Sequence, residues 1–120
     1  MKTVMVVDDH HDTNSVLCKV LRKSGYRTLS AYSGEEAVAM LATSVPDLVI
    51  LDVMMPGMNG CEVLRIIRGA QATASLPVIM HTAVADAQAR QQAMDIGANG
   101  YLVKSGFDLQ TFQATVARHL

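Results

Sequence analysis

Short unbroken apolar runs alternate with helical patterns along the whole chain. Val4 to Val7, Leu48 to Leu51, Val78 to Met80 and Tyr101 to Val103 show no period of two. That is the pattern of strands buried on both faces, as in a parallel sheet. A weaker run, Tyr26 to Ala31, mixes Arg27, Thr28 and Ser30 with Leu29, and is expected at a sheet edge. Between the runs, Val16, Leu17, Val20 and Leu21 repeat at helical spacing until Gly25. Ser33-Gly34-Glu35-Glu36 reads as a capping box for a helix with the face Ala37, Val38 and Leu41. Val63, Leu64 and Ile67 mark a third helix, closed by Gly69. Asp86 to Ile96 is rich in Gln and Ala, with only the thin stripe Ala89, Ala93 and Met94. The last helix opens at Asp108, where Phe107 and Phe112 are spaced as a hydrophobic staple. Five strands alternating with five helices predict an α/β fold, a doubly wound parallel sheet with helices on both faces.

Composition narrows the class. The 120 residues fit one domain, expected over 1–120. With 50% hydrophobic residues, the chain can bury a core without disulfides or a structural metal. Cys18 and Cys61 form no C-x-x-C pair and read as reduced and buried, which favours the cytoplasm. Ten Lys+Arg against eleven Asp+Glu give a net charge of −1, so no direct nucleic-acid binding is expected. The apolar run before Asp8-Asp9 is too short for a signal peptide or a membrane span, and no membrane insertion is expected. The chain ends at Leu120 in its last helical stretch, which leaves open both a stand-alone protein and a piece of a longer one.

The informative polar residues fall where strands end. The first strand runs into Asp8-Asp9, the third into Asp52, the fourth into His81-Thr82 and the fifth into Lys104. In open α/β sheets, ligands bind beyond the carboxyl ends of the strands where the strand order reverses. For five strands in the flavodoxin-like order 2-1-3-4-5, that point lies between the first and third, the two that carry all three aspartates. Crowded carboxylates resist ionisation until something positive arrives, and hard oxygen ligands suit Mg²⁺. With a hydroxyl from Thr82 and a point charge from Lys104, the set makes a site for a phosphoryl group on an aspartate.

The stretches Val6-Val7-Asp8-Asp9, Pro46 to Gly60 around Asp52-Val53-Met54-Met55-Pro56, His81-Thr82-Ala83, Gly97-Ala98 and Tyr101-Leu102-Val103-Lys104 closely resemble the receiver domain of two-component response regulators. The resemblance covers essentially the whole chain. It implies that Asp52 is the phosphoacceptor, taking its phosphoryl group from a sensor histidine kinase, a phosphotransfer protein or a small phosphodonor. It implies Mg²⁺ bound by Asp9, Asp52 and the carbonyl of Met54, with Asp8 acting through water. Lys104 would pair with Asp52 and then with the phosphoryl group, Thr82 would move to bind it, and Tyr101 would be the switch aromatic that turns inward. The output surface, for a downstream effector protein or domain, would be the fourth helix, fifth strand and fifth helix. The residues flanking the approach of a hydrolytic water would be Met54 and Val84.

One departure is plain. Receivers usually follow the lysine with a cis proline, whereas Lys104 is followed by Ser105-Gly106. A non-proline cis bond costs about 2.5–4 kcal/mol, so a trans peptide is expected. A receiver-like adaptor that binds partners without phosphorylation is the alternative, which Ser105 leaves open. A Mg²⁺-dependent phosphohydrolase is disfavoured because Met54 stands where a general acid would be needed, and a flavin-binding protein because the first loop carries Asp8-Asp9. His10 and His11 are expected to be solvated, His81 to lie near the pocket rim, and His119 to contact a helix end. The eight methionines are expected in the core, apart from Met54, Met55 and Met58.

Overall fold

Strands that are apolar at every position must be covered on both faces, and the fold meets that demand with helices on each side. The computed structural model describes all 120 residues. It alternates β1 (Thr3–Val7), α1 (His11–Lys23), β2 (Arg27–Ala31), α2 (Gly34–Leu41), β3 (Leu48–Leu51), α3 (Gly60–Gly69), β4 (Val78–Thr82), α4 (Ala87–Ile96), β5 (Gly100–Val103) and α5 (Leu109–Arg118). A one-turn 3-10 helix, Gln71–Thr73, has no counterpart in the sequence reading. All strands are parallel, in the order β2-β1-β3-β4-β5. The expected edge strand is β2, and its residues are mostly half-buried.

Alternation along each strand divides the core in two. Val4, Val6, Leu48, Ile50 and Ile79 pack under α1 and α5, against Leu17, Leu21, Phe112 and Val116. Met5, Val7, Val49, Leu51 and Met80 pack under the other three helices, against Val63, Leu64 and Ile67 of α3. Each such side chain stabilises the fold by about 1.5–3 kcal/mol through burial. Cys18 and Cys61 are free and buried, as expected. The methionines depart from expectation: Met55 is buried and Met58 packs against the core, while Met1 and Met94 are exposed.

The helix ends show how local chemistry fixes the entry angles. Phe107 and Phe112 meet with ring centroids 5.6 Å apart, so the staple forms, and Asp108 caps α5 by accepting from the Thr111 N–H. Ser33 caps α2 by accepting from the Glu36 N–H. The Glu36 carboxylate, however, accepts from the Tyr32 N–H rather than from Ser33, so the expected box does not close. A complete box forms instead at α3, between Asn59 and Glu62. Helix α4 buries only Ala93 and is fastened at its C-terminal end, where the Arg68 guanidinium donates to the Gly97 carbonyl at 2.9 and 3.0 Å.

Candidate functional site

Four strands deliver polar groups to one edge of the sheet. Asp8 follows β1, Asp52 follows β3, Thr82 ends β4 and Lys104 follows β5. The register pairs Val7 with Leu51, which sets the next residues, Asp8 and Asp52, side by side at the reversal of strand order. Asp8 and Asp52 are 1% and 2% exposed, and Thr82 is fully buried. Asp9 is half-buried.

Lys104 bridges the two buried carboxylates, with Nζ 2.9 Å from Asp52 Oδ2 and 2.8 Å from Asp8 Oδ2. The Asp52 contact is an aligned hydrogen bond; Asp8 Oδ2 is held by charge alone, since no hydrogen bond of proper geometry reaches it. Burial opposes the lysine's charge, but its close contacts with the Asp8 and Asp52 carboxylates outweigh it and hold its pKa above the ordinary value. The Met54 N–H donates to the other Asp52 oxygen at 3.1 Å. Met54 is itself 61% exposed.

The loops are held from beneath. Asn14, fully buried on α1, donates its amide hydrogens towards the carbonyls of Val6, Asp8 and Ala31 at 3.2–3.3 Å. This ties α1 to the ends of β1 and β2. Gly60 opens α3 directly beneath Asp52, and any Cβ there would collide with the Asp52 carbonyl oxygen, so only glycine permits this approach. Gly60 closes the Pro46–Gly60 stretch already tied to the site, whereas Asn14 did not stand out in the sequence. Asn14 could have been found as a polar residue one turn before Leu17, Cys18 and Leu21, on the same helical stripe.

On the other flank, Thr82 Oγ1 accepts from the Val84 N–H at 3.3 Å, and the Tyr101 hydroxyl donates to the Val84 carbonyl at 2.7 Å. Tyr101 is half-buried against the core under α3 and α4. Burial, followed by nearby negative groups, pushes its phenol pKa up, so it is a neutral donor. The Lys104–Ser105 peptide is trans, as is every other peptide bond of the chain.

The four histidines have separate surroundings. His81 is 3% exposed and shares the parity of Ile79, so it faces α1 and α5, where it lines a cavity with Leu17, Lys104 and Phe107. Its ring meets the edges of Phe107 and Phe112 at 5.9 and 6.2 Å, and neither ring nitrogen has a hydrogen-bond partner. Burial first, and Lys104 second, push its pKa down. The His10 ring is largely exposed, but its Nδ1 lies 3.2 Å from Asp8 Oδ1 and 3.4 Å from Asp9 Oδ1. His11 stacks flat on Tyr32 at 4.1 Å, and His119 Nδ1 meets the Thr115 carbonyl at 2.9 Å, the expected helix-end contact.

Asp8, Asp9, Asp52 and His10 each offer an atom within 4.8 Å of all the others. Asp9 Oδ1 is buried without a hydrogen bond, an arrangement that water or an ion completes. Hard oxygens converging on such an orphaned acceptor fit a divalent cation.

Comparison with known proteins agrees with this geometry. Residues 4–117 match the response regulator receiver domain family. The chain is 33% identical over 86% of its length to the phosphate regulon transcriptional regulatory protein PhoB of Pseudomonas aeruginosa, covering 45% of that protein. It is 40% identical over 87% of its length to the transcriptional regulatory protein CpxR of Klebsiella pneumoniae, covering 43% of it. The chain thus spans less than half the length of these curated relatives. The structure of the Vibrio cholerae chemotaxis protein CheY4 superposes with a TM-score of 0.93 at 32% identity, covering 100% of this chain and 99% of that one. A strand order, an acidic edge and a sequence match over nearly the whole chain lead to one conclusion: the chain belongs to the response regulator receiver domain family of two-component systems.

Proposed function

We propose that residues 1–120 form one receiver domain that works as a phosphorylation-activated switch, with Asp52 as the phosphoacceptor. The observation that carries this reading is the bridge from Lys104 to Asp52 and Asp8. It sets two buried carboxylates against a single cation at the carboxyl ends of the strands, an arrangement that phosphate chemistry favours. In the proposed reaction an Asp52 carboxylate oxygen attacks phosphorus, and the bond from phosphorus to the donor breaks. The donor is a phosphohistidine on a sensor kinase or phosphotransfer protein, or a small phosphodonor; its leaving group carries away the electron pair and takes a proton. Lys104 then follows the negative charge from the carboxylate to a phosphoryl oxygen. The Met54 N–H orients Asp52 for attack.

Asp9, Asp52 and the Met54 carbonyl would hold Mg²⁺, with Asp8 acting through water. When bound, the ion would neutralise the carboxylates and accept a phosphoryl oxygen. Thr82 would exchange its Val84 N–H partner for the phosphoryl group and so pull on the loop that Tyr101 also holds. The weakly anchored α4, with β5 and α5, would form the output surface for an effector protein or domain. The chain's own catalysis is limited to its phosphorylation and dephosphorylation. No helix is long and apolar enough to cross a membrane, and we propose a cytoplasmic location.

Beryllofluoride, which mimics a phosphoryl group on a carboxylate, tests the switch against the adaptor alternative. With Mg²⁺ present, amide resonances of Thr82 to Ile96 and of β5 should shift, and Asp52→Asn should abolish the shifts. An unchanged spectrum in the wild type would favour constitutive, phosphorylation-independent binding.

A further inference from the structure

We propose that His10 is a ligand of the divalent ion in this chain, and that its imidazole biases the site from Mg²⁺ towards Mn²⁺ and later first-row ions. This rests on the reading of Asp8, Asp9 and Asp52 as the metal pocket. His10 occupies the N-cap position of α1, yet its side chain caps no helix N–H. It turns back instead: Nδ1 hydrogen-bonds Asp8 Oδ1 at 3.2 Å and lies 3.4 Å from Asp9 Oδ1, so coordination exchanges the Asp8 contact for the ion. Its backbone N–H donates to Asp8 Oδ1 at 2.9 Å, so the residue is fixed beside the acidic pair.

The independent observation is the orphaned oxygen. Asp9 Oδ1 is buried and has no hydrogen bond, and the imidazole nitrogen is already close to it. An octahedral ion with ligands at about 2.1 Å separates adjacent ligand atoms by about 3.0 Å and opposite ones by about 4.2 Å. The 3.4 Å from Nδ1 to Asp9 Oδ1, the direct ligand, lies between these values, and the whole set lies within 4.8 Å. The ring's exposure leaves it free to make the small adjustment coordination needs. His11, by contrast, is held against Tyr32.

The chemistry of the donor sets the preference. Mg²⁺ is hard and keeps oxygen and water ligands. An imidazole nitrogen suits softer divalent ions, whose affinity for mixed N/O sites rises along the first row from Mn²⁺. Carboxylates alone already favour Mn²⁺ somewhat over Mg²⁺, so the diagnostic quantity is the change in the Mn²⁺-to-Mg²⁺ affinity ratio when the imidazole is removed.

The test titrates metal-free protein with Mn²⁺ and with Mg²⁺, and records pulsed EPR of the Mn²⁺ complex. The wild type should show nitrogen coupling to Mn²⁺. His10→Ala should lose that coupling and about tenfold of its Mn²⁺ affinity, while its Mg²⁺ affinity stays within about twofold. Asp9→Asn should weaken both ions. If His10→Ala keeps the wild-type ratio and no nitrogen coupling is present, the His10 proposal is wrong while the carboxylate site stands. If Asp9→Asn binds both ions as the wild type does, the reading of the metal pocket fails, and the His10 proposal with it.

Discussion

The Tyr101 hydroxyl donates to the Val84 carbonyl at 2.7 Å, and through it β5 holds the loop that leads from Thr82 into α4. Val84 is bound on both sides, since its N–H also donates to Thr82 Oγ1. The buried hydroxyl at the sheet edge and the half-buried aromatic on β5 therefore grip the same residue. Helix α4 is fastened at its far end by Arg68 and buries only Ala93, so this grip decides how freely its first turn opens. Tyr101→Phe removes one hydrogen bond worth about 0.5–1.5 kcal/mol. Amide exchange should quicken across Val84 to Arg90 and stay unchanged in β1 and β3; equal exchange in α4 would show that the phenol does not restrain it.

Lys104 is the only cation between two buried carboxylates, and its loss should be felt most without metal. Lys104→Met leaves both unpaired, at a cost of about 3–5 kcal/mol in chelator. Added Mg²⁺ should return more stability to this variant than to the wild type. Asp52→Asn should do the opposite. Its removal lowers the carboxylate excess while Lys104 keeps Asp8, so the variant should melt above wild type in chelator and gain less from Mg²⁺. Thermal melts of the three proteins with chelator and with Mg²⁺ decide this, and equal Mg²⁺ gains would remove Asp52 from the metal site.

His81 gives the fold a pH dependence whose sign is fixed by its surroundings. Burial and Lys104 hold its pKa below the ordinary value, so as pH falls through about 6.5 the unfolded chain takes up a proton that the folded chain resists. Stability therefore falls with falling pH in that window. His81→Leu abolishes this component and removes two buried ring nitrogens that lack partners. The variant should be more stable than wild type at pH 7, by about 1–3 kcal/mol, with the gap widening at pH 5.5. Denaturant melts at the two pH values test it; parallel losses in both proteins would contradict the account.

The lifetime of the phosphorylated state should be long. Met54, largely exposed, donates its backbone N–H to Asp52, and half-buried Val84 donates its own to Thr82. Neither side chain can orient or deprotonate a water. Replacing them with Asn and Glu in one double variant should speed loss of the phosphoryl group about tenfold or more, since positioning a nucleophile is worth at least that. Single-turnover decay after removal of the donor gives the rates. Decay within seconds in the wild type would contradict the account.

Four of the strands were legible because each holds an unbroken apolar run, and the site was legible because Asp8, Asp52 and Lys104 directly follow three of them. What escaped depended on direction rather than on residue type. Period two places His81 on the face of Ile79 and not on that of Thr82, which turns it towards α1 and α5, where it lines a cavity beside Lys104. Asn14 looks like an ordinary early-helix polar residue until three carbonyls converge on it. His10 reads as solvated because adjacent residues usually point apart, and His11 does point away; the Asp8 side chain draws the His10 backbone back to the acidic pair. At Ser33 the box pattern is present, but the Glu36 carboxylate finds the Tyr32 N–H.

The central claim is that Asp52 receives the phosphoryl group, and intact mass spectrometry tests it most directly. Incubated with acetyl phosphate or phosphoramidate and Mg²⁺, the wild type should gain the mass of one phosphoryl group. Asp52→Asn should gain none. A single phosphoryl group added to the Asn variant as readily as to the wild type would contradict the assignment.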